Sequence, residues 1–369
     1  MSAMPEHTSP EPNEAVAYCH KLRSRLSAVR RTTPRRQRVF EALPRPCQER
    51  LDASRHDAPM DAAQRVACPP AAVQEKQKTV LYLAYGSNLC NETFRGVRGI
   101  RPLSQVNVLV PSLRLTFDLA GIPYAEPCFA NAAFRDASAP PAYSDADYHK
   151  DRWHKGLVGV VYEVTLADYA HIMATEGAGA SYQDMLVDCY VLPNQDAVPT
   201  NPTSAPFQAH TLFAPVQPRP SPSATDGASR PDPSYAQPSA RYLKLIRDGA
   251  TECRLPAEYQ AYLHHIRPYT MTTKKQAVGK ALFLAIWMPI ILLLLALARQ
   301  VQDDQGRAPK WFAEVAARVF GGMWICYHGL FKPAFGDGER TLGQDEDGDG
   351  SGYAAMGDEE RRGEWSDSA

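Results

Sequence analysis

Two short stretches hold residue types that can do chemistry together. In "VLYLAYGSNL", residues 80 to 89, an apolar strand runs straight into Gly86-Ser87-Asn88. These are turn-forming residues, and the plain reading is that a strand ends there. The chemical reading is that the turn presents backbone N–H groups, a hydroxyl and a carboxamide to an oxyanion or carboxylate. The second stretch is "ATEG", where Glu176 follows an apolar helical face and precedes Gly177. A helix C-terminus disfavours a carboxylate, because the negative end of the macrodipole raises its energy. In a partly apolar pocket that group gains a raised pKa, which suits a general acid/base. Position alone also describes an ordinary exposed Glu before a capping glycine.

Both stretches need elements to hold them, and residues 78–271 supply these. Strands are predicted at 79–85, at 105–119 in one or two pieces broken at Pro111, and at 128–134. The β-branched run 156–164 predicts a central strand, and 181–192 and 207–215 two more. Thr165 is an N-cap candidate for a helix whose face carries Leu166, Tyr169, Ala170 and Met173 and which stops at Gly177. Two helices follow, over 239–250 closed by Gly249, and over 255–266 with Pro256 near its first turn. Residues 135–155 and 216–238, rich in Pro, Ser and Asp, read as loop insertions. Mixed strands and helices without a βαβ rhythm predict a small α+β domain.

At this point the residues carry a resemblance. "YGSNL" after a first strand, "GVVYEVTLADYAHIMATEG" followed by Tyr182, and "PSARYLKLIRDGATECRLPAEYQAYL" occur in the order found in γ-glutamylcyclotransferases. "FDLAGIPYAEPCFANAAF" between them resembles the form seen in fungal members. The resemblance covers residues 79–270, just over half of the chain. It implies a mixed β-barrel or sheet with flanking helices, and an intramolecular reaction in which the α-amine of a γ-glutamyl amide attacks its own γ-carbonyl. The products are 5-oxoproline and a free amine, and ring closure gains from proximity. Glu176 is then the proton carrier. Gly86, Ser87, Asn88 and Leu89 hold the substrate's oxygens, Tyr85 walls the pocket, and Tyr182 is a hydrogen-bonding or pocket residue. In "AHTLFAP" the family often has a tyrosine where Leu212 stands, so contacts there differ. No cofactor and no metal enter this scheme. The implied substrate is a small γ-glutamyl amino acid, glutathione or a glutathione-derived adduct, with a lean towards the first and last. The rival reading is a catalytically idle domain of this type used as a membrane-bound binding or scaffold module. The retained Glu176 favours the enzyme.

The flanks follow other rules. The net charge is -1, yet residues 15–65 carry twelve Lys/Arg against five acids, and residues 336–369 carry eleven acids against three Arg. This predicts a disordered basic arm over 1–77 and an acidic disordered tail over 333–369. Residues 281–298 hold no charge, and with their neighbours predict one membrane helix over 278–299, in which Pro289 is tolerated. Residues 310–332 are apolar but interrupted by Glu314, Arg318 and His328, which predicts an interfacial amphipathic helix. The absence of an apolar stretch after Met1 and the scattered cysteines predict a single-pass protein with its catalytic domain facing the cytosol. The tail then lies across the membrane unless the amphipathic segment turns it back.

Competing signals are weaker. "DEDGDGSGYAAM" (345–356) matches a calcium loop at Asp345, Asp347, Asp349 and Gly350 but has Met356 at the bidentate position. Cys90 or Cys128 with His154 or His210 lacks any local nucleophile motif. "GVRG" (96–99) stands without a surrounding nucleic-acid-binding pattern, so no nucleic-acid partner is expected.

Overall fold

The computed structural model describes residues 40–59, 79–136, 150, 152–175, 183–213, 235–301 and 309–341. The elements discussed all fall in one unit, Ala42–Ala369. In chain order they are α1 (Gln48–Ala53), β1 (Thr79–Ala84), β2 (Ser104–Val110), β3 (Leu113–Ile122), β4 (Glu126–Phe134) and β5 (Leu157–Thr165). Then come α2 (Leu166–Thr175), β6 (Gln183–Val191), β7 (Pro206–Phe213), α3 (Ala240–Glu252), α4 (Ala257–His265), α5 (Lys274–Val301), α6 (Lys310–Cys326) and α7 (Lys332–Phe335). The fold is α+β, as expected.

Five strands close on themselves in the order β1-β5-β2-β6-β7. β5 is central: Tyr162 lies opposite Tyr82 of β1 and Gln105 of β2. Closure comes from β1 and β7, which run parallel with Tyr82 beside His210. Burial on both faces explains why Val80–Ala84 and Leu157–Tyr162 read as continuous apolar runs rather than as alternation. Pro111 does break the apolar stretch in two. β2 stays in the closed sheet, whereas β3 leaves it to pair with β4 as a separate hairpin. Thr165 caps α2, its Oγ1 accepting from the Asp168 amide at 3.1 Å. Ser239 caps α3 through the Tyr242 amide at 3.0 Å.

Three expectations need correction. First, the domain begins well before residue 78. Leu51 of α1 is buried, Arg50 donates to the Thr79 carbonyl at 3.1 Å, and the Gln105 amide donates to Pro44 O at 2.8 Å. Second, Gly249 does not close its helix, since α3 runs on to Glu252. A Cβ at Gly249 would lie 2.3 Å from the Leu89 carbonyl carbon and 2.5 Å from the Cys90 nitrogen. The glycine is there for close approach of α3 to the turn after β1. Third, the acidic tail starts as structure. The Glu339 carbonyl accepts from the Gln237 amide at 2.9 Å, Gly338 O accepts from the Tyr124 amide at 2.7 Å, and the Asp337 and Glu339 side chains are buried. Most of the two loop insertions, and all of the calcium-like stretch, lie outside the described residues.

Tyr124 shows how firmly this strap is held. Pro123 and Tyr124 form the central pair of a turn in which the Ala125 amide donates to Ile122 O at 3.2 Å. Tyr124 sits at φ 63°, a position that favours glycine and costs a bulky residue about 1–2 kcal/mol. The cost is offset at its other end, where the hydroxyl donates to Gly336 O at 2.7 Å and the ring packs on Phe283 and Tyr327. α5 and the α6–α7 leg run antiparallel. Gly279 lies against Phe335, Phe283 against Phe331, and Leu294 clusters with Phe312. The segment expected to be an interfacial amphipathic helix thus packs along α5.

A polar pair sits inside the closed sheet. His210 Nδ1 lies 2.9 Å from Asp184 Oδ2, the side chains being 1% and 4% exposed, and Tyr169 donates to Asp184 Oδ1 at 2.6 Å. Buried polar groups of this kind hold only while every partner is present. Asp184→Asn is therefore expected to lower stability by roughly 3 kcal/mol. Asp248→Asn, which breaks the exposed Lys244–Asp248 pair on α3, is expected to change it by at most about 0.5 kcal/mol. Gly249→Ala gains helix propensity but forces α3 off the turn, and is expected to cost about 2–3 kcal/mol net. Urea unfolding of the full chain in detergent micelles reads all three.

Candidate active site

β1 ends at Ala84, and the chain enters a single 3-10 turn over Ser87–Leu89. The Leu89 amide donates to Gly86 O at 3.1 Å and the Cys90 amide to Ser87 O at 3.2 Å. Those two bonds close the turn and leave the amides at its start without an intrahelical acceptor, as at any helix N-terminus. Gly86 and Ser87 occupy that start and are half-buried rather than sealed in the core. A Cβ on Gly86 would stand 3.3 Å from the Tyr242 hydroxyl of α3. That hydroxyl in turn accepts from the Ala130 amide of β4 at 3.1 Å.

The other expected binding residues take supporting places. Leu89 is fully buried and its amide is committed to the turn, so it braces the site without facing it. Asn88 turns its carboxamide inward, where Nδ2 donates to the Tyr82 hydroxyl at 2.8 Å. Tyr85 is buried and donates to the Leu212 carbonyl at 3.1 Å. Position 212 thus contributes its backbone to the site's wall, whatever its side chain. Glu176 and Tyr182 lie outside the described residues. Their described neighbours are informative: Tyr169 of α2 reaches Asp184, and Gln183 pairs with Phe213 at the edge where β1 gives way to the turn.

Two residues at this site escaped the sequence reading. Cys253, just past α3, contacts Leu89 O through its sulfur at 3.6 Å and the Tyr162 hydroxyl at 3.4 Å. Burial pushes its pKa up to about 11, so it stays a neutral thiol that donates to the turn and is no nucleophile. Burial likewise raises Tyr162 far above the usual phenol range. Cys90 and Cys128, once paired on paper with His210, are buried, and His210 faces Asp184 instead. No local motif signals Cys253. Its role appears only when α3 is laid against the turn.

Chemically, the arrangement offers backbone donors at an open turn, fixed from below by Asn88–Tyr82 and from the side by α3. Comparison with known proteins places the chain as a whole. Over 272 residues, 73% of this chain and 92% of the relative, it is 33% identical to the γ-glutamyl cyclotransferase gliK of Aspergillus fumigatus. It is 30% identical over 276 residues to the γ-glutamyl cyclotransferase aclK of Aspergillus oryzae, spanning 73% of this chain and 93% of that one. A solved γ-glutamyl cyclotransferase structure aligns over 53% of this chain and 93% of its own, at 20% identity and a TM-score of 0.35. Residues 273–334 match the AclK C-terminal domain family. By its similarity to these relatives along most of their length, the chain belongs to the γ-glutamyl cyclotransferase family.

Proposed function

We propose that the chain converts a γ-glutamyl amino acid, or a γ-glutamyl amide such as a glutathione-derived adduct, to 5-oxoproline and a free amine. The observation that carries this reading is the 3-10 turn after β1, in whose two internal bonds the amides of Gly86, Ser87 and Asn88 take no part. In the reaction the substrate's α-amine forms a bond to its own γ-carbonyl carbon, and the γ C–N bond breaks. Negative charge grows on the carbonyl oxygen between these events, and fixed N–H donors stabilise it. The proton lost by the α-ammonium must reach the departing nitrogen. Glu176 is the residue proposed to carry it, with Tyr182 beside the substrate. Because nucleophile and electrophile share one molecule, orientation supplies much of the rate.

We also propose that residues 278–299 hold the protein in a membrane with the catalytic domain on the cytosolic side. α5 is long and apolar enough to cross a bilayer, and Leu292 and Leu293 on it are 56% and 60% exposed.

The test uses the full chain in detergent micelles, because the strap at 336–341 is bonded to the domain. Incubation with γ-glutamyl-alanine and with glutathione is expected to release 5-oxoproline, read by mass spectrometry. Glu176→Gln is expected to lose about 10²- to 10⁴-fold in kcat. Equal release from both proteins removes the proton-transfer role from Glu176. Binding of a γ-glutamyl compound without turnover points to the idle scaffold.

A further inference from the structure

The two C-terminal legs have the dimensions of a bilayer. α5 has 28 residues, about 42 Å at the α-helical rise. The return leg from Lys310 through Phe335 is about 39 Å long by the same rise. A hydrocarbon core is about 30 Å thick, and about 40–45 Å with headgroups. Each leg is therefore long enough to cross.

Their surfaces are divided in a way that suits lipid. Phe283 and Ile291 of α5 pack inward with Met323, Tyr327 and Phe331 of the return leg. Outward, seven large apolar residues of α5, from Val278 to Leu297, and five of the return leg, from Trp311 to Leu330, are exposed. A water-soluble hairpin would place charge on such faces. We propose that α5 and the α6–α7 leg cross the bilayer together as a two-pass hairpin, its outer faces covered by lipid hydrocarbon. Both chain ends then lie on the catalytic domain's side. This rests on the membrane reading given under Proposed function, and replaces its single crossing by two.

The charges fall where two crossings put them. The sequence between the legs, residues 302–308, includes Asp303, Asp304 and Arg307, charges that are costly in hydrocarbon. Glu314 and Arg318 lie one and two turns into the return leg and pair with each other at 3.7 Å. Pairing and snorkelling towards the far interface lower their cost. At the near side the return is fixed by the strap: Lys332 pairs with Asp337 at 2.8 Å, and Gln276 at the base of α5 donates to Asp337 O at 2.9 Å. These bonds cannot form if the two ends lie on opposite faces of a membrane.

Hairpin topology also breaks a tie. For a single span, Lys274, Lys275 and Lys280 on one flank balance Arg299, Arg307 and Lys310 on the other. With two passes, Lys332 and Arg340 join the near flank. With Arg318 counted at the far interface, the near flank carries five Lys/Arg against four, an excess in the direction the positive-inside rule assigns to the cytosolic side. The AclK C-terminal domain match spans both legs and the residues between them, so the two travel as one unit.

The experiment is protease protection of the full chain inserted into sealed microsomes, with one epitope tag placed within 302–308 and another at the C-terminus. Carbonate extraction runs in parallel. The expected result is a carbonate-resistant protein whose 302–308 tag is protected and whose C-terminal tag is digested. Protection of both tags leaves the membrane reading standing but overturns the hairpin in favour of a single crossing. Digestion of both from a carbonate-resistant protein overturns it in favour of a shallow insertion. Release by carbonate, with a dimer in light scattering, overturns both readings and assigns the apolar faces to a second copy of the chain.

Discussion

The contact on which the site most depends is between a helix and a turn with no side chain between them. At Gly249, α3 meets the backbone of Leu89 and Cys90 so closely that a single added carbon would overlap it. The same helix continues to hold the site along its length. Tyr242 bridges Gly86 and the Ala130 amide, and Ser239 at its N-cap hydrogen-bonds the carboxylate of Glu126 at the start of β4. α3 thus joins three things that the sequence keeps far apart: the turn after β1, the β3–β4 hairpin, and the segment at 235–239 on which the C-terminal strap is fastened.

Under the turn lies a polar layer that an apolar core does not need for stability alone. Asn88 reaches Tyr82, the Tyr82 ring lies tilted against Tyr169, and Tyr169 reaches Asp184 and through it His210. Each of these groups has given up water, and each bond compensates only in one geometry. An all-aliphatic core tolerates small repackings, whereas this layer fixes the register of β1, β6 and β7 around the turn. The identity of Asn88 in the turn is explained here. It is a brace from below, while Gly86 and Ser87 form the open edge.

Much of this was legible in the sequence. The strands announced themselves as apolar runs, Thr165 as a cap, and Pro111 as the break between β2 and β3, because each depends on neighbours a few residues away. What could not be read were contacts made at long range. Gly249 looks like a helix stop when only its own segment is considered, since the reason for it sits 160 residues earlier at Leu89. Asp337 and Glu339 look like the start of a solvated acidic tail, since composition cannot show that Tyr235, Tyr269 and Lys332 converge to receive them. The packing of the return leg is hidden for a related reason, since it depends on Phe283 and Ile291 of another helix. In the site, the turn was legible and the division of labour within it was not. Backbone amides are invisible to residue type, and only the hydrogen-bond pattern separates Leu89, which closes the turn, from Gly86 and Ser87, which open it.

An intramolecular cyclisation makes particular demands on such a scaffold. The proposed reaction brings no second substrate and no cofactor, so most of the available acceleration lies in holding one flexible molecule in a reactive fold. Holding is a matter of stiffness, and stiffness here is built from parts that do not touch the substrate. Gly249 seats the helix, Asn88 and Tyr82 lock the floor, Cys253 as a neutral thiol holds the Leu89 carbonyl, and Tyr124 accepts a strained backbone to fasten the strap. Strain of that kind persists only where the surroundings over-determine it. That it appears at the junction of the β3–β4 hairpin, the strap and α5 shows where the fold concentrates its constraint. The base of the hairpin is bonded into the same framework as the turn, through Tyr124 to the strap and through Glu126 to the cap of α3.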